Sequence, residues 1–342
     1  MDNSSKMKVA VIGVGYWGPN LIRNFNSISD VEVNLVCDTN EDRLHYVRKM
    51  YPDIRVSKDF KDATRGSDID LVCIATPVMW HYEMAKDALN NFKHVLVEKP
   101  LTDKVDSSTE LVELAEKNKV VLAVDHTFEY TPAVNKIKSL IKSDELGQIY
   151  YVNMSRLNLG LFQKDINVVW DLAPHDISIL GYVLDQSPYG VSANGSSHIL
   201  PDIEDVAMLT IHYPNDILAY ISVSWLDPNK IRKSTFVGSK KMLVYDDIEP
   251  LEKIKIYDKG VERPSYYDSF GNFQFSYRYG DIYTPYIDNK EPLQVECQHI
   301  VECIGNGTQP ISDGRDGLRV VKILEAAEKS IKNKGRLELI ES

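Results

Sequence analysis

The sequence predicts an α/β protein: a doubly wound parallel sheet, then a second α/β domain with an open, mostly antiparallel sheet. Three observations carry this. Strand-like and helix-like segments alternate through the first 126 residues. The early strands are almost continuously apolar, as in "IDLVCIAT" (69–76), which suits a sheet covered on both faces. After about residue 127 the strands lengthen, partly alternate and are joined by turn residues. A division into 1–126 and 127–342 follows, and 342 residues suffice for two cores.

The elements can be justified in order. Lys8–Ile12 is a short apolar strand closed by glycine, and Pro19 then suits the first turn of a helix carrying Leu21, Ile22 and Phe25. "VEVNLVCD" (31–38) is a strand, "EDRLHYVRKMY" (41–51) an amphipathic helix, and "RVSKDF" (55–60) holds a short strand. After the apolar strand at 69–76 come a helix at 81–91, a strand at 94–100 ending in proline, a helix at 106–119 and a strand at 120–126. Residues 149–159, 206–213, 218–225, 232–238 and 241–247 read as the antiparallel set. Residues 259–292, rich in Tyr, Asp, Gly and Pro, read as an extended loop or arm, and 293–307 and 317–334 as helices.

Composition excludes several classes. Lys+Arg is 39 against Asp+Glu 50, a net charge of −11, so the surface repels phosphate backbones and nucleic acid is not expected as a partner. The four cysteines are unclustered, which suits a reducing compartment. Cys297, His299 and Cys303 have none of the usual zinc spacings, so no metal is expected. The polar start "MDNSSKMKVA" lacks the apolar stretch of a signal peptide, and no run is long enough to span a bilayer. A soluble, cytoplasmic protein without a membrane partner is the expectation.

The motifs point to chemistry. Gly13-x-Gly15-x-x-Gly18 follows a strand and opens a helix. In that context the glycines permit the tight turn, the approach of a pyrophosphate and close helix–strand packing, with Tyr16 and Trp17 on the same loop. Asp38 ends the second strand twenty residues after Gly18, where a carboxylate can accept ribose hydroxyls and repel a 2′-phosphate, so NAD is expected over NADP. Asp38 as a helix cap, and Arg43 as a phosphate partner, are the competing readings. Thr76 and Pro77 lie on a loop at a strand carboxyl end, facing the ligand crevice; His81 either contacts the cofactor or merely starts a helix. In "VEKPL" (97–101), Glu98 and Lys99 stand at the next strand end, where both are expected at the cofactor, although the ordinary reading of a lysine is a solvated surface group. In "VVWDLAPHD" (168–176), Asp171 is placed as a helix N-cap with Pro174 in the first turn, and His175, four residues on, shares its face. The pair therefore reads as a cap, as an acid/base unit, or as both.

With the fingerprint after the first strand, "ATP" after the fourth, "EKP" after the fifth and Asp171-x-x-x-His175 later, the chain resembles the Gfo/Idh/MocA oxidoreductases over essentially its whole length. The resemblance implies a Rossmann domain for 1–126, a substrate-binding and oligomerisation domain for 127–342, and a cis proline after Lys99. It implies hydride transfer between NAD and a sugar-like hydroxyl carbon. Lys99, Asp171 and His175 would be catalytic, with the substrate hydroxyl between Lys99 and His175 and the nicotinamide near Lys99 and Trp170. "YWGPNLIRNF", "RLNLGLF" and "WDLAPHDISIL" look nearest to the branch acting on nucleotide-linked sugars, such as the 3-dehydrogenases of UDP-N-acetylglucosamine. Arg156, Asn158 and Lys164, and further on Arg232 and Lys233, would then meet a diphosphate or carboxylate, or else are solvated charges. A free cyclitol or monosaccharide substrate, and a non-catalytic NAD(H) sensor, are the alternatives. "DHTFEYTP" (125–132) departs from the family's pattern, so no role is carried to it. A homodimer or homotetramer is implied by the resemblance alone.

Overall fold

The computed structural model describes residues 6–262 and 276–341. The described chain divides into two compact units: Met1–Thr131 with Lys290–Glu325, and Pro132–Asn289 with Ala326–Ser342.

The first unit is the parallel sheet. Its strands are β1 (Met7–Ile12), β2 (Val31–Cys37), β3 (Arg55–Ser57), β4 (Leu71–Ile74), β5 (His94–Glu98) and β6 (Leu122–Asp125), in the order β3-β2-β1-β4-β5-β6. Helices α1 (Gly18–Asn26), α2 (Glu41–Met50), α3 (Lys61–Thr64), α4 (His81–Asn90) and α5 (Val105–Asn118) make the crossovers. The strand order reverses between β1 and β4, which puts the loops after those strands beside the ligand crevice of a doubly wound sheet. α8 (Pro292–Asn306) also belongs here. Its buried Leu293, Cys297 and Ile300 complete the cluster built on Val9, Val11, Phe25 and Cys73. A single cut between 126 and 127 therefore does not describe this unit: the apolar face of α8 is part of its core, and the chain returns to provide it.

The second unit carries a nine-stranded sheet ordered β14-β13-β12-β11-β7-β10-β9-β8-β15. The strands are β7 (Ile149–Leu157), β8 (Gly190–Ser196), β9 (Val206–His212), β10 (Leu218–Ser224), β11 (Ile231–Gly238), β12 (Met242–Asp246), β13 (Ile254–Glu262), β14 (Ser276–Tyr283) and β15 (Glu338–Leu339). All their pairings are antiparallel except β7 with β10. α6 (Pro132–Lys142) packs on α7 (Val168–Leu184), and α7 lies on β7, β9 and β10. α9 (Gly314–Lys332) ends shortly before β15. The arm expected over 259–292 is partly strand: β13 and β14 pair at the sheet edge, while 263–275 lie outside the described residues. Among the described residues no helix is long and apolar enough to cross a membrane.

α7 corrects one local expectation. It starts at Val168, and its N-cap is Asn167, whose side chain accepts from the Val169 and Trp170 amides. Asp171 is thus inside the first turn rather than at the cap. Pro174 falls in the second turn, where its missing N–H leaves the Trp170 carbonyl without the usual helical donor.

Candidate functional site

In the first unit, the turn after β1 has the geometry a dinucleotide needs. Gly13 has φ +95°, and a Cβ there would lie 2.5 Å from the Ala75 carbonyl oxygen. A Cβ on Gly18 would run into the Gly13 carbonyl, whereas one on Gly15 would meet nothing within 4 Å. The third glycine therefore serves packing, and the second leaves an open approach to the backbone. Helix α1 begins with no side-chain cap, so its first amides and the positive end of its dipole face that approach. Tyr16 is exposed, and it and Trp17 meet edge-to-face at 5.3 Å.

Asp38 is buried at the end of β2. The Val14 amide donates to its Oδ2 at 2.7 Å and the Asn40 amide to its Oδ1 at 2.8 Å, which fixes the carboxylate beside the glycine turn. α2 is capped by Asn40, not by Asp38. Half-exposed Arg43 reaches Asp38 Oδ2 at 3.3 Å, so its charge faces the carboxylate. A carboxylate has about four lone-pair positions, and the three donors leave one for a ribose hydroxyl.

The loops after β4 and β5 are tied together. His81 is 1% exposed; its Nε2 lies 2.8 Å from the Thr76 carbonyl and its Nδ1 2.9 Å from the Pro100 carbonyl. Burial lowers its pKa, and nearby Lys99 acts in the same direction. His81 is therefore a buried strut between the loop of Thr76 and exposed Pro77 and the loop of Lys99, not a cofactor contact. Lys99 is half-buried, and the Lys99–Pro100 peptide is cis. Glu98 also departs from its expected place at the cofactor: it is buried, facing Asp125 on β6.

Beyond β6 lies a cluster that sequence reasoning left without a role. His126 Nδ1 lies 2.5 Å from Asp316 Oδ2 and 3.6 Å from Glu129 Oε1, all three buried. Arg319 also donates to Asp316. Burial opposes the imidazolium, but Asp316 and Glu129 outweigh it and raise His126 to about 9. Burial and the Asp316 charge raise Glu129 to about 8. The trio is compact enough to be weighed as a metal site. The Arg319 guanidinium and the close His126–Asp316 contact make it an ion-pair network instead. Cys297, His299 and Cys303 lie along α8: Cys297 enters the core, and His299 Nε2 accepts from the Ile311 amide at 3.2 Å.

In the second unit, half-buried Asp171 and His175 stand four residues apart on α7, on one face. The buried indole of Trp225 donates to Asp171 Oδ2 at 3.0 Å. Trp225 in turn packs against Phe162, with ring centroids 5.4 Å apart. Trp170 does not offer an open ring face: it is buried, and its Nε1 donates to Glu328 Oε2 at 2.9 Å.

Of the expected phosphate-binding cations, Arg156 is already taken up by a carboxylate. It is 5% exposed and bidentate on Asp176, Nε to Oδ2 at 3.0 Å and Nη2 to Oδ1 at 2.8 Å. Arg232 pairs opposite Arg156 on β11 and contacts Asp247 at 3.5 Å. Exposed Lys233, one residue on, points to the opposite face of the sheet from Arg156. Asn158, half-buried beyond β7, ties its backbone to Ser224 and Asp227, and Lys164 is exposed.

Comparison with known proteins gives this geometry its context. Residues 7–126 match the model of the oxidoreductase family with the NAD-binding Rossmann fold, and residues 134–244 match the GFO/IDH/MocA C-terminal domain. The chain belongs to the Gfo/Idh/MocA oxidoreductase family. This oxidoreductase is 23% identical over 358 residues to the myo-inositol 2-dehydrogenase of Thermotoga maritima, covering 98% of this chain and 99% of that protein. Its fold is that of the UDP-N-acetylglucosamine 3-dehydrogenase of Acidithiobacillus ferrooxidans (TM-score 0.78, 22% identity, 96% and 98% of the two chains). It is equally that of an enzyme from gentamicin A biosynthesis solved with NAD (TM-score 0.82, 20% identity, 100% and 98%). The cofactor of the family enzyme is NAD, and the open face at Gly15, the uncapped start of α1 and the fixed Asp38 carboxylate fit it.

One residue that fixes a site side chain escaped sequence reasoning: Trp225, which holds Asp171 from 54 residues away. It lies in no motif, and only the fold brings it to α7.

Proposed function

We propose that this oxidoreductase is an NAD-dependent dehydrogenase or reductase of a nucleotide-linked sugar, exchanging a hydride at ring carbon 3. The observation that carries the reading is the α7 pair: a carboxylate and an imidazole on one helix face, with the carboxylate fixed by the Trp225 indole at 3.0 Å. A group held in one orientation beside a histidine is what a proton transfer needs, and a non-catalytic NAD(H) sensor has no use for it. Bound NAD supplies the hydride acceptor. His175 accepts the hydroxyl proton, Lys99 orients that oxygen and stabilises its developing negative charge, and Asp171 orients His175 or binds a second hydroxyl. The fold likeness to a UDP-N-acetylglucosamine 3-dehydrogenase supports the nucleotide-linked substrate.

A free cyclitol is the second reading. It is favoured by the inositol dehydrogenases among the relatives and by the loss of Arg156 to Asp176, which removes one cation from a diphosphate site. Exposed Tyr151, Tyr220 and Met208 on the open sheet face support a homodimer or homotetramer.

The test is a turnover screen with NAD⁺ against UDP- and dTDP-sugars, inositols and free sugars, following NADH absorbance. NADH from a nucleotide sugar alone is the expected result. NADH from an inositol or free sugar replaces the first reading by the second. Silence with every substrate, with NADH bound but never formed, overturns both in favour of the sensor.

A further inference from the structure

Glu98 and Asp125 occupy paired positions at the carboxyl ends of neighbouring parallel strands, β5 and β6. Glu296 reaches them from α8. Their exposures are 7%, 3% and 0%. The Thr127 hydroxyl covers Asp125 Oδ1. Glu98 Oε1, Asp125 Oδ2 and both oxygens of Glu296 meet no N–H or hydroxyl donor. What they do meet is each other: Asp125 is within hydrogen-bonding reach of both Glu98 and Glu296.

Two ionised carboxylates at that distance have only lone pairs to offer, and burying an unpaired carboxylate is costly. A hydrogen bond between two carboxyl groups requires a proton on one of them, and two such contacts along three carboxyls require two protons. We propose that Glu98, Asp125 and Glu296 form a carboxyl chain joined by two shared protons, and that this chain is the positioning group for Lys99. It pins the end of β5 from below and leaves one negative charge behind the ammonium.

The surroundings agree. Lys99 is the cation that acts on Glu98. The other titratable groups facing the chain are Glu129, Cys73, Cys297 and Tyr130, none of them cationic. Burial first, and the Asp125 charge second, hold Glu98 and Glu296 well above the usual carboxylate range. Glu296 thus closes a chain that starts one residue from Lys99. The role of Lys99 rests on the proposed dehydrogenase; the shared protons do not.

The experiment therefore reads the protein without turnover. Infrared spectroscopy at pH 7 is expected to show the carbonyl stretch of buried protonated carboxyls in the intact chain, weakened in Glu296→Gln, whose amide replaces one shared proton by a fixed N–H donor. In parallel, lysines are reductively methylated with carbon-13 and the Lys99 signal is assigned with Lys99→Arg. That signal is expected to stay in place in Glu296→Gln and to move in Glu296→Leu, with Asp125→Asn as the second disruptive variant. If neither disruptive variant folds, raising the pH of the intact chain until the protonated-carboxyl band disappears must move the Lys99 signal. Absence of a protonated-carboxyl band in the intact chain overturns the shared protons. A Lys99 signal indifferent to these variants and to pH overturns the positioning role.

Discussion

Replacing His175 by alanine is expected to lower turnover on the substrate found in the screen by roughly a hundred- to ten-thousandfold, the range for loss of a general base. NADH binding, followed by its fluorescence, should be unchanged, because the glycine turn and Asp38 belong to the other unit. Arg156 makes the opposite kind of prediction. Arg156→Ala strands Asp176 in the interior and should cost about 3–5 kcal/mol in urea unfolding. Lys233→Ala, at an exposed position, should change stability by no more than about 0.5 kcal/mol. The contrast marks what the sequence makes legible at this scale. The tight turn at Gly13 and Gly18, the carboxylate of Asp38 beside it and the shared helix face of Asp171 and His175 are legible because they depend on local spacing. Arg156, His81, Glu98 and Trp170 were misplaced because a residue's type does not reveal its partner. The carboxylate that claims Arg156 is twenty residues away, and the indole that holds Asp171 is 54 residues away.

α7 shows the same division for elements. Its existence follows from the apolar run, but the sequence points to Asp171 as its start, because an aspartate before a proline looks like a cap. Asn167 is the cap, so Asn167→Ala should cost about 1 kcal/mol while leaving the Asp171–His175 pair intact. A thermal melt beside a turnover assay separates the two effects. The parallel strands were legible through their continuous apolar runs. β8 was not, because "GVSANGS" has the small residues and glycines of a turn and becomes a strand only by pairing with β9. β13 and β14 look like an arm in the sequence because Tyr, Gly and Asp dominate this stretch, and their pairing is also non-local. α6 carries a signal of its own, with Val134, Ile137 and Leu140 on one face behind Pro132, a residue suited to a helix's first turn.

For the whole molecule, the buried acids of the first unit set a pH dependence. His126 is raised from 6.5 to about 9, a contribution fully present below 6.5 and lost as pH rises through 9. Glu129 is raised from 4.5 to about 8, and Glu98 and Glu296 are raised as well, so their contributions also decline as pH rises above 4.5. Burial lowers His81, His94 and His299, which work the other way only below about pH 7, so between pH 7 and 9 the folded unit binds more protons than the unfolded chain. Stability should fall monotonically across that window, by about tenfold in the unfolding constant per pH unit for each proton released. Melting temperatures at constant ionic strength check this; a rise toward pH 9 would contradict it.

The discontinuous first unit also bears on how the molecule comes into being. A ribosome delivers residues 1–131 long before Leu293, Cys297 and Ile300, which fill the same core. The nascent sheet must therefore wait, one apolar flank uncovered, through the synthesis of nearly the whole second unit. A gene fragment ending at residue 131 should yield aggregated product. Adding residues 290–325 back through a short linker should recover soluble material, measured as the soluble fraction after expression.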